Sequence, residues 1–173
     1  MNPHLLKMLP QAGVYTLIIH LPANIRLKVG RLGAHQFPRG YYAYTGSALG
    51  SGASSLRKRV ARHLQKKKHK FWHIDYLLAR KDAVVTAVII AQTNKKMECK
   101  MNRRLKNEMT ARIPVLGFGA SDCKENCWSH FLYLGEKNVK QKIASLYNEN
   151  FGCKTVVVNF EQKSQIYLHS NLT

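Results

Sequence analysis

Gly13–Leu21 is a run of β-branched, aromatic and aliphatic residues closed by Pro22, and two more strand-like stretches follow it within a short reach of chain. Such side chains pack well on a pleated strand, whereas proline cannot donate to a sheet ladder. Ile25–Val29 carries apolar residues at alternate positions, and Tyr41–Tyr44 opens a third strand that runs into the small-residue loop Gly46–Ser55. Between them, Gly30–Gly40 has three glycines and a proline, the composition of a loop or a bulged hairpin. Strands this close in sequence pair most simply as antiparallel neighbours, because a parallel pair needs a crossover of a dozen or more residues. The front end therefore commits the chain to an antiparallel sheet.

The remainder supplies helices to cover that sheet. After a cap at Ser54 or Ser55, Leu56, Val60 and Leu64 recur every fourth residue and predict a helix to about Lys68. Phe71–Arg80 reads as a second helix, Val84–Ala91 as a buried strand, and Lys96–Thr110 as a third helix with Met97, Met101, Leu105 and Met109 on one stripe. A Gly/Ser/Cys loop spans Gly117–Cys127, His130–Leu134 reads as a short strand, and Asn138–Tyr147 as an amphipathic helix. Phe151–Thr173 holds Val156–Val158, which suits an added strand, docking on the core or self-association. The expected class is α+β, a small and mainly antiparallel sheet flanked by helices.

Charge adds a partner. The chain has 28 Lys+Arg against 9 Asp+Glu, a formal net charge of +19, and no acidic residue precedes Asp75. With 45% hydrophobic residues the charge decorates a folded body, not a disordered tail. Such asymmetry suits a polyanion, most often nucleic acid, and the basic helix lacks the bulky aromatic backing that a membrane surface requires. The longest strongly apolar run, Ala83–Ala91, is far short of the ~20 residues of a membrane span. With no apolar leader, the chain reads as cytoplasmic, with Cys99, Cys123, Cys127 and Cys153 as reduced thiols.

Several residues recur in an order that carries chemistry. Gly13-Val14-Tyr15 opens the first strand and Tyr44-Thr45-Gly46, followed by Ser47, ends the third; Arg59 and His63 lie four apart on one shoulder of the next helix, and Glu98 begins a later one. Taken singly, each has an ordinary role: strand tyrosines pack, a basic helix is solvated, and an acid in a first helical turn suits the helix dipole. As an ordered set they resemble the GIY-YIG nuclease superfamily. Trp72-His73-Ile74-Asp75-Tyr76 and Gly117-Phe118-Gly119-Ala120-Ser121-Asp122-Cys123 look like an uncharacterised subfamily that stands alone or is fused to an endonuclease III-type glycosylase.

The resemblance implies a nuclease domain over about 11–135 and leaves 136–173 as a C-terminal helix and extension of unknown role. Two departures stand out. The interval from Tyr15 to Tyr44 is long, implying an inserted hairpin around Val29–Gly40, and the superfamily's asparagine after the glutamate helix has no clean match, Ser121 or Asp122 standing in that region.

What the resemblance implies is a metal-dependent endonuclease acting on DNA, in repair or recombination, with a catalytically weak nucleic-acid-binding module or an RNA-binding protein as the alternatives. Tyr15 would position or deprotonate water, Arg59 would stabilise the charged transition state, Tyr44 and His63 would orient water, metal or phosphate, and Glu98 would hold Mg2+ or Mn2+. A tyrosine of ordinary pKa is a poor base and would need a nearby cation. His73 and Asp75, with Ser121 and Asp122, are candidates for the rim. Lys58, Arg62, Lys66, Lys67, Lys68 and Lys70 form the expected phosphate-tracking strip, favouring DNA over RNA and shape or ends over sequence. A DNA-repair protein is a candidate partner. Cys99, Cys123, Cys127 and His130 could be soft metal ligands. Their spacing lacks a tight Cys-x-x-Cys knuckle, so the expectation is that zinc is unlikely.

Overall fold

A computed structural model describes residues 9–152 and 155–160. Cys153 and the end of the C-terminal extension, 161–173, lie outside the described residues, as do residues 1–8.

The front end folds as an antiparallel pair with a hairpin inserted between its strands. β1 is Gly13–Leu21, β2 Ile25–Lys28, β3 Ala34–Phe37 and β4 Gly40–Ala48. β2 and β3 pair with each other as a separate two-stranded sheet, so the inserted hairpin exists and starts ahead of Val29, at Ile25. β1 pairs along its full length with β4, matching Tyr15 to Gly46 and Leu17 to Tyr44. That register explains why β4 continues through residues that read as a loop. A Cβ on Gly46 would lie 2.7 Å from the Tyr15 hydroxyl, so only glycine leaves the phenol its place in the sheet.

α1 (Leu56–Leu64), α2 (His73–Leu78), β5 (Val84–Gln92), α3 (Glu98–Glu108), β6 (Phe131–Gly135), α4 (Lys140–Phe151) and β7 (Thr155–Asn159) follow. The main sheet has the order β6-β4-β1-β5-β7, and each of these pairings is antiparallel. Val156–Val158 thus adds a strand against Ile89, Ile90 and Val88 of β5.

Alternation along β1 divides the core into two layers. Tyr15, Leu17, Ile19 and Leu21 pack with Tyr42, Tyr44, Leu56, Val60 and Ile74 on the side of α1 and α2. Val14 and Ile18 pack with Met101, Leu105, Ile143 and Tyr147 on the side of α3 and α4. Each fully buried aliphatic side chain contributes roughly 1.5–3 kcal/mol relative to exposure, so β1, buried on both faces, is the anchor of the sheet. On the second side Thr16 bonds to both Thr45 and Tyr147, which satisfies three buried hydroxyls together.

Three helices are shorter than their sequence pattern predicts, α3 by two residues at each end of the expected Lys96–Thr110. α1 is capped by Ser55, whose side chain accepts from the Lys58 N–H, but it ends at Leu64. Three consecutive lysines repel one another there, and the chain turns so that Lys66 Nζ reaches the carbonyls of Arg80 and Ala83 while Lys68 Nζ reaches that of His63. α2 starts at His73, not Phe71, because the Asp75 carboxylate accepts the N–H groups of Phe71 and Trp72. No helix among the described residues is long and apolar enough to cross a membrane.

Candidate functional site

β1, β4, α1, α3 and the 119–130 loop surround one open cleft of about 670 Å³. Tyr15 enters from β1, and its hydroxyl lies 2.8 Å from Nε2 of His63 on α1. Tyr44 from β4 meets the same imidazole edge-on at 5.8 Å. Behind Tyr44 the backbone of Gly119 takes a positive φ of 70°, and a Cβ there would sit 2.7 Å from the Tyr44 ring. Glycine at this position lets the loop close on the phenol.

Arg59, one helical turn before His63, donates through Nη1 to the Ser47 carbonyl at 2.8 Å. Ser47 also donates through its hydroxyl to the Glu98 carboxylate. Ser47 therefore joins the guanidinium to the acid. None of the five ion pairs among the described residues involves Arg59, so its charge is left for the cleft.

Electrostatics in this wall follow burial. Desolvation drives the His63 imidazolium down to about 3, helped by Lys68 and by Arg59 and Arg62, with Asp75 acting the other way. His63 is neutral at pH 7. Burial, with Tyr44 beside it, holds the Tyr15 phenol well above its ordinary value, while Arg59 pulls it down. Burial likewise raises Tyr44. These two tyrosines are protonated groups in the chain by itself.

On the opposite wall, Cys99 follows Glu98 in the first turn of α3 and meets the loop. Its sulfur lies 3.5 Å from that of Cys123 and 3.6 Å from Nε2 of His130. With Cys127, these four donor atoms all lie within 4.8 Å of one another. Burial pushes the thiols of Cys99 and Cys127 up. At Cys123 burial acts the same way, but N–H donation from Cys127 and Glu125 outweighs it and holds the thiol below its ordinary value.

The model of a family described as domain of unknown function DUF123 matches residues 14–152. The chain belongs to that family. No curated protein and no solved structure matches the chain. The DUF123 match runs from β1 to the end of α4 and so contains both walls of the cleft.

The donor set of this DUF123 chain corrects the expectation that zinc is unlikely. Three thiols and an imidazole gathered this closely form a zinc-like Cys3His site. Sequence spacing was misleading because Cys99 comes from a helix start, far upstream of Cys123, so no compact knuckle exists for a local pattern to find.

Of the residues singled out from sequence, Tyr15, Tyr44, Arg59, His63 and Glu98 all line the cleft, as do His73, Ser121 and Asp122. His73 accepts the Gly119 N–H through Nδ1 at 3.1 Å. Asp75 does not reach the rim. It is fully buried beneath α1, where Arg62 grips it through two bonds of 2.7 and 3.0 Å, and although burial works against its ionisation, Arg62 and the N–H groups of Trp72 and Phe71 hold it below the usual carboxylate range. Within the lysine strip, Lys66 and Lys68 are engaged with carbonyls, while Lys58, Lys67 and Lys70 are exposed.

Two cleft residues, Ser47 and Phe71, escaped the sequence reading, whereas Trp72 was expected in the core or a cleft wall and lines the cleft. Ser47 was seen only as the residue after the second triplet. Phe71 lines the cleft mouth at 74% exposure, and Trp72 lies beneath the guanidinium groups of Arg62 and Arg59, at 4.4 and 5.2 Å from its ring centroid. A large exposed aromatic just after a lysine run was the available signal for Phe71.

Proposed function

We propose that this cleft hydrolyses phosphodiester bonds in DNA as a divalent-metal-dependent endonuclease of GIY-YIG type. The observation that carries the reading is the convergence of Tyr15, His63, Arg59 and Glu98, from three separate elements, on one open cleft in a strongly basic chain. The antiparallel pairing of β1 with β4, the strands that carry the two signature triplets, supports the same resemblance.

The residues fit a hard cation held by a single carboxylate. Glu98 is half-buried, oriented by Ser47, and faces an open cleft in which water can complete the coordination shell. When bound, such a cation supplies charge neutralisation on the phosphorus oxygens and on the leaving oxygen. Arg59, held by Ser47 and free of any carboxylate, presents its remaining N–H groups to the phosphate. The Tyr15 hydroxyl and Nε2 of neutral His63 share a hydrogen bond of 2.8 Å that fixes the phenol, whose oxygen would orient water. Phe71 offers an exposed face on which an unpaired base can stack, favouring ends, nicks or single-stranded junctions over uniform duplex.

Burial of Tyr15 supports a second reading, a DNA-binding module with weak or no turnover, because the same burial that orders the phenol opposes its ionisation. Incubation of the purified chain with nicked, branched and single-stranded DNA, and with RNA, in the presence of magnesium or manganese separates the two. Cleavage abolished by Arg59→Ala and by Glu98→Ala is the expected result. Cleavage unchanged in both variants would sink the site assignment, and binding without cleavage on every substrate selects the module. RNA preferred over DNA would move the chain to an RNA-binding role.

A further inference from the structure

We infer that Cys99, Cys123, Cys127 and His130 form a closed structural zinc site that ties the start of α3 to the 117–130 loop and so fixes the Glu98 wall of the cleft. This stands independently of the nuclease reading.

The first argument is metric. Tetrahedral zinc with Zn–S near 2.3 Å and Zn–N near 2.0–2.1 Å separates its ligands by about 3.7 Å between sulfurs and about 3.6 Å between sulfur and nitrogen. The Cys99–Cys123 and Cys99–His130 separations are 3.5 and 3.6 Å. Four donors gathered within 4.8 Å enclose one ion and leave no space for a multi-iron cluster, whose thiolates stand farther apart. A disulfide between Cys99 and Cys123 would use two of the four groups and leave the approach of Cys127 and His130 without a cause.

The second argument is the surrounding support. The Cys123 N–H donates to the Ala120 carbonyl at 3.1 Å and the His130 N–H to that of Phe118 at 2.9 Å, so the backbone holds two of the four ligands in place. Arg103, one turn along α3 from Cys99, bonds to the Glu125 carbonyl at 2.8 Å and to its carboxylate at 3.0 Å, which ties the stretch between Cys123 and Cys127 to α3. Asn102 donates to the Ser129 carbonyl at 2.6 Å, holding the residue before His130 against α3.

The third argument concerns what the loop otherwise lacks. Residues 117–130 contain turns and bends with no helix or strand, and Ser121, Asp122, Lys124, Glu125, Asn126 and Trp128 are all exposed. Phe118 anchors the start of this segment in the core, stacked on Phe131 at 4.4 Å, but residues 119–128 bury little apolar surface, and metal binding supplies their order as folding free energy. All four positions being protein ligands, the site has no open coordination position and no catalytic role of its own. Binding deprotonates the thiols, and the released protons pass to solvent.

Metal analysis of the full chain, purified without chelator, should give about one zinc ion per molecule. Cobalt(II) in its place should give thiolate-to-metal charge-transfer absorption together with the intense d–d bands of tetrahedral coordination. Cys123→Ser and Cys127→Ser should lose the metal, whereas Glu98→Ala should retain it. Because a serine variant could fail to fold, Cys127→His provides the second measurement: it should keep the cobalt site with weaker charge-transfer absorption. Chelation of the wild type should speed amide exchange in 117–130 and at the start of α3 by at least about tenfold, leaving β1 and β4 protected. Absence of metal with freely reactive thiols, a Cys99–Cys123 disulfide, or zinc retained in both serine variants would overturn the site. Unchanged exchange on chelation would overturn its role in fixing the wall.

Discussion

The two walls of the cleft are built on different principles. Tyr15, Tyr44, Arg59 and His63 stand on β1, β4 and α1, elements buried in the core, and hydrogen bonds within the chain hold Tyr15 to His63 and Arg59 to Ser47. The other wall is a loop anchored at its start by the buried Phe118 and otherwise largely exposed, gathered by a few main-chain contacts and by four soft ligands. A wall supported by apolar burial keeps its shape by itself, whereas a wall supported by ligands depends on what they hold. The two meet at Ser47 and Glu98, so the residue that would hold a catalytic cation is positioned by both.

The largest test of that contrast is Asp75→Ala. It removes a buried carboxylate that anchors Arg62 and the N–H groups of Phe71 and Trp72, leaving an uncompensated cation beneath α1. The expected cost is about 3–5 kcal/mol of stability, measured by denaturant unfolding. Zinc content should remain as in the wild type under native conditions. Loss of zinc from folded Asp75→Ala protein would show that the walls are not separately supported.

Next in size is Arg59→Ala, assayed on whichever DNA the chain cleaves. Removing a preorganised cation from the developing negative charge should lower turnover by about 10²–10³. One hydrogen bond to the Ser47 carbonyl and the contact over the Trp72 ring are lost from the fold, so stability should change by about 1–2 kcal/mol. Equal losses in turnover and stability would make Arg59 a structural residue of the first wall.

His63 gives that wall a pH signature. Its folded value, about 3, lies below the value near 6.5 of an unfolded histidine, so between these limits the unfolded chain takes up a proton that the folded chain refuses. Stability should therefore fall as pH drops from 6.5 toward 3, with a slope of at most about 1.4 kcal/mol per pH unit from this group. Arg59, Arg62 and Lys68 keep the imidazole neutral, and Asp75 opposes them. Unfolding of His63→Gln followed between pH 6.5 and 4.5 should show a shallower decline than wild type, and an unaltered slope would refute the buried neutral state.

The same division explains what could be read without a structure. β1, β5 and the start of α1 follow from side-chain pattern, because each of those segments is organised by its own burial, and Tyr15, Arg59 and His63 lie on β1 and α1. Glu98 could be placed for the same reason. Asp75 was misread as a rim group because its partner, Arg62, lies on another helix and nothing in the local pattern signals their pairing. The Cys3His site was misread because its ligands come from two segments whose approach is a tertiary event. Ser47 looked like an ordinary strand end until Arg59 and Glu98 met on it.

The smallest effects separate electrostatics from stacking at the cleft mouth. Lys67 is exposed and occupied by no partner among the described residues, so Lys67→Gln should weaken DNA binding evenly across sequences and reduce the salt slope by about one. Phe71→Ala removes an exposed ring with no charge, and should cost about 1–3 kcal/mol on single-stranded or nicked substrates while leaving the salt slope unchanged. Titrations at several salt concentrations, on duplex and single-stranded DNA, distinguish the two. If Phe71→Ala weakened duplex and single strand alike, the ring would be serving α2 packing through its edge contact with Trp72, at 5.6 Å, and the mouth would read phosphate alone.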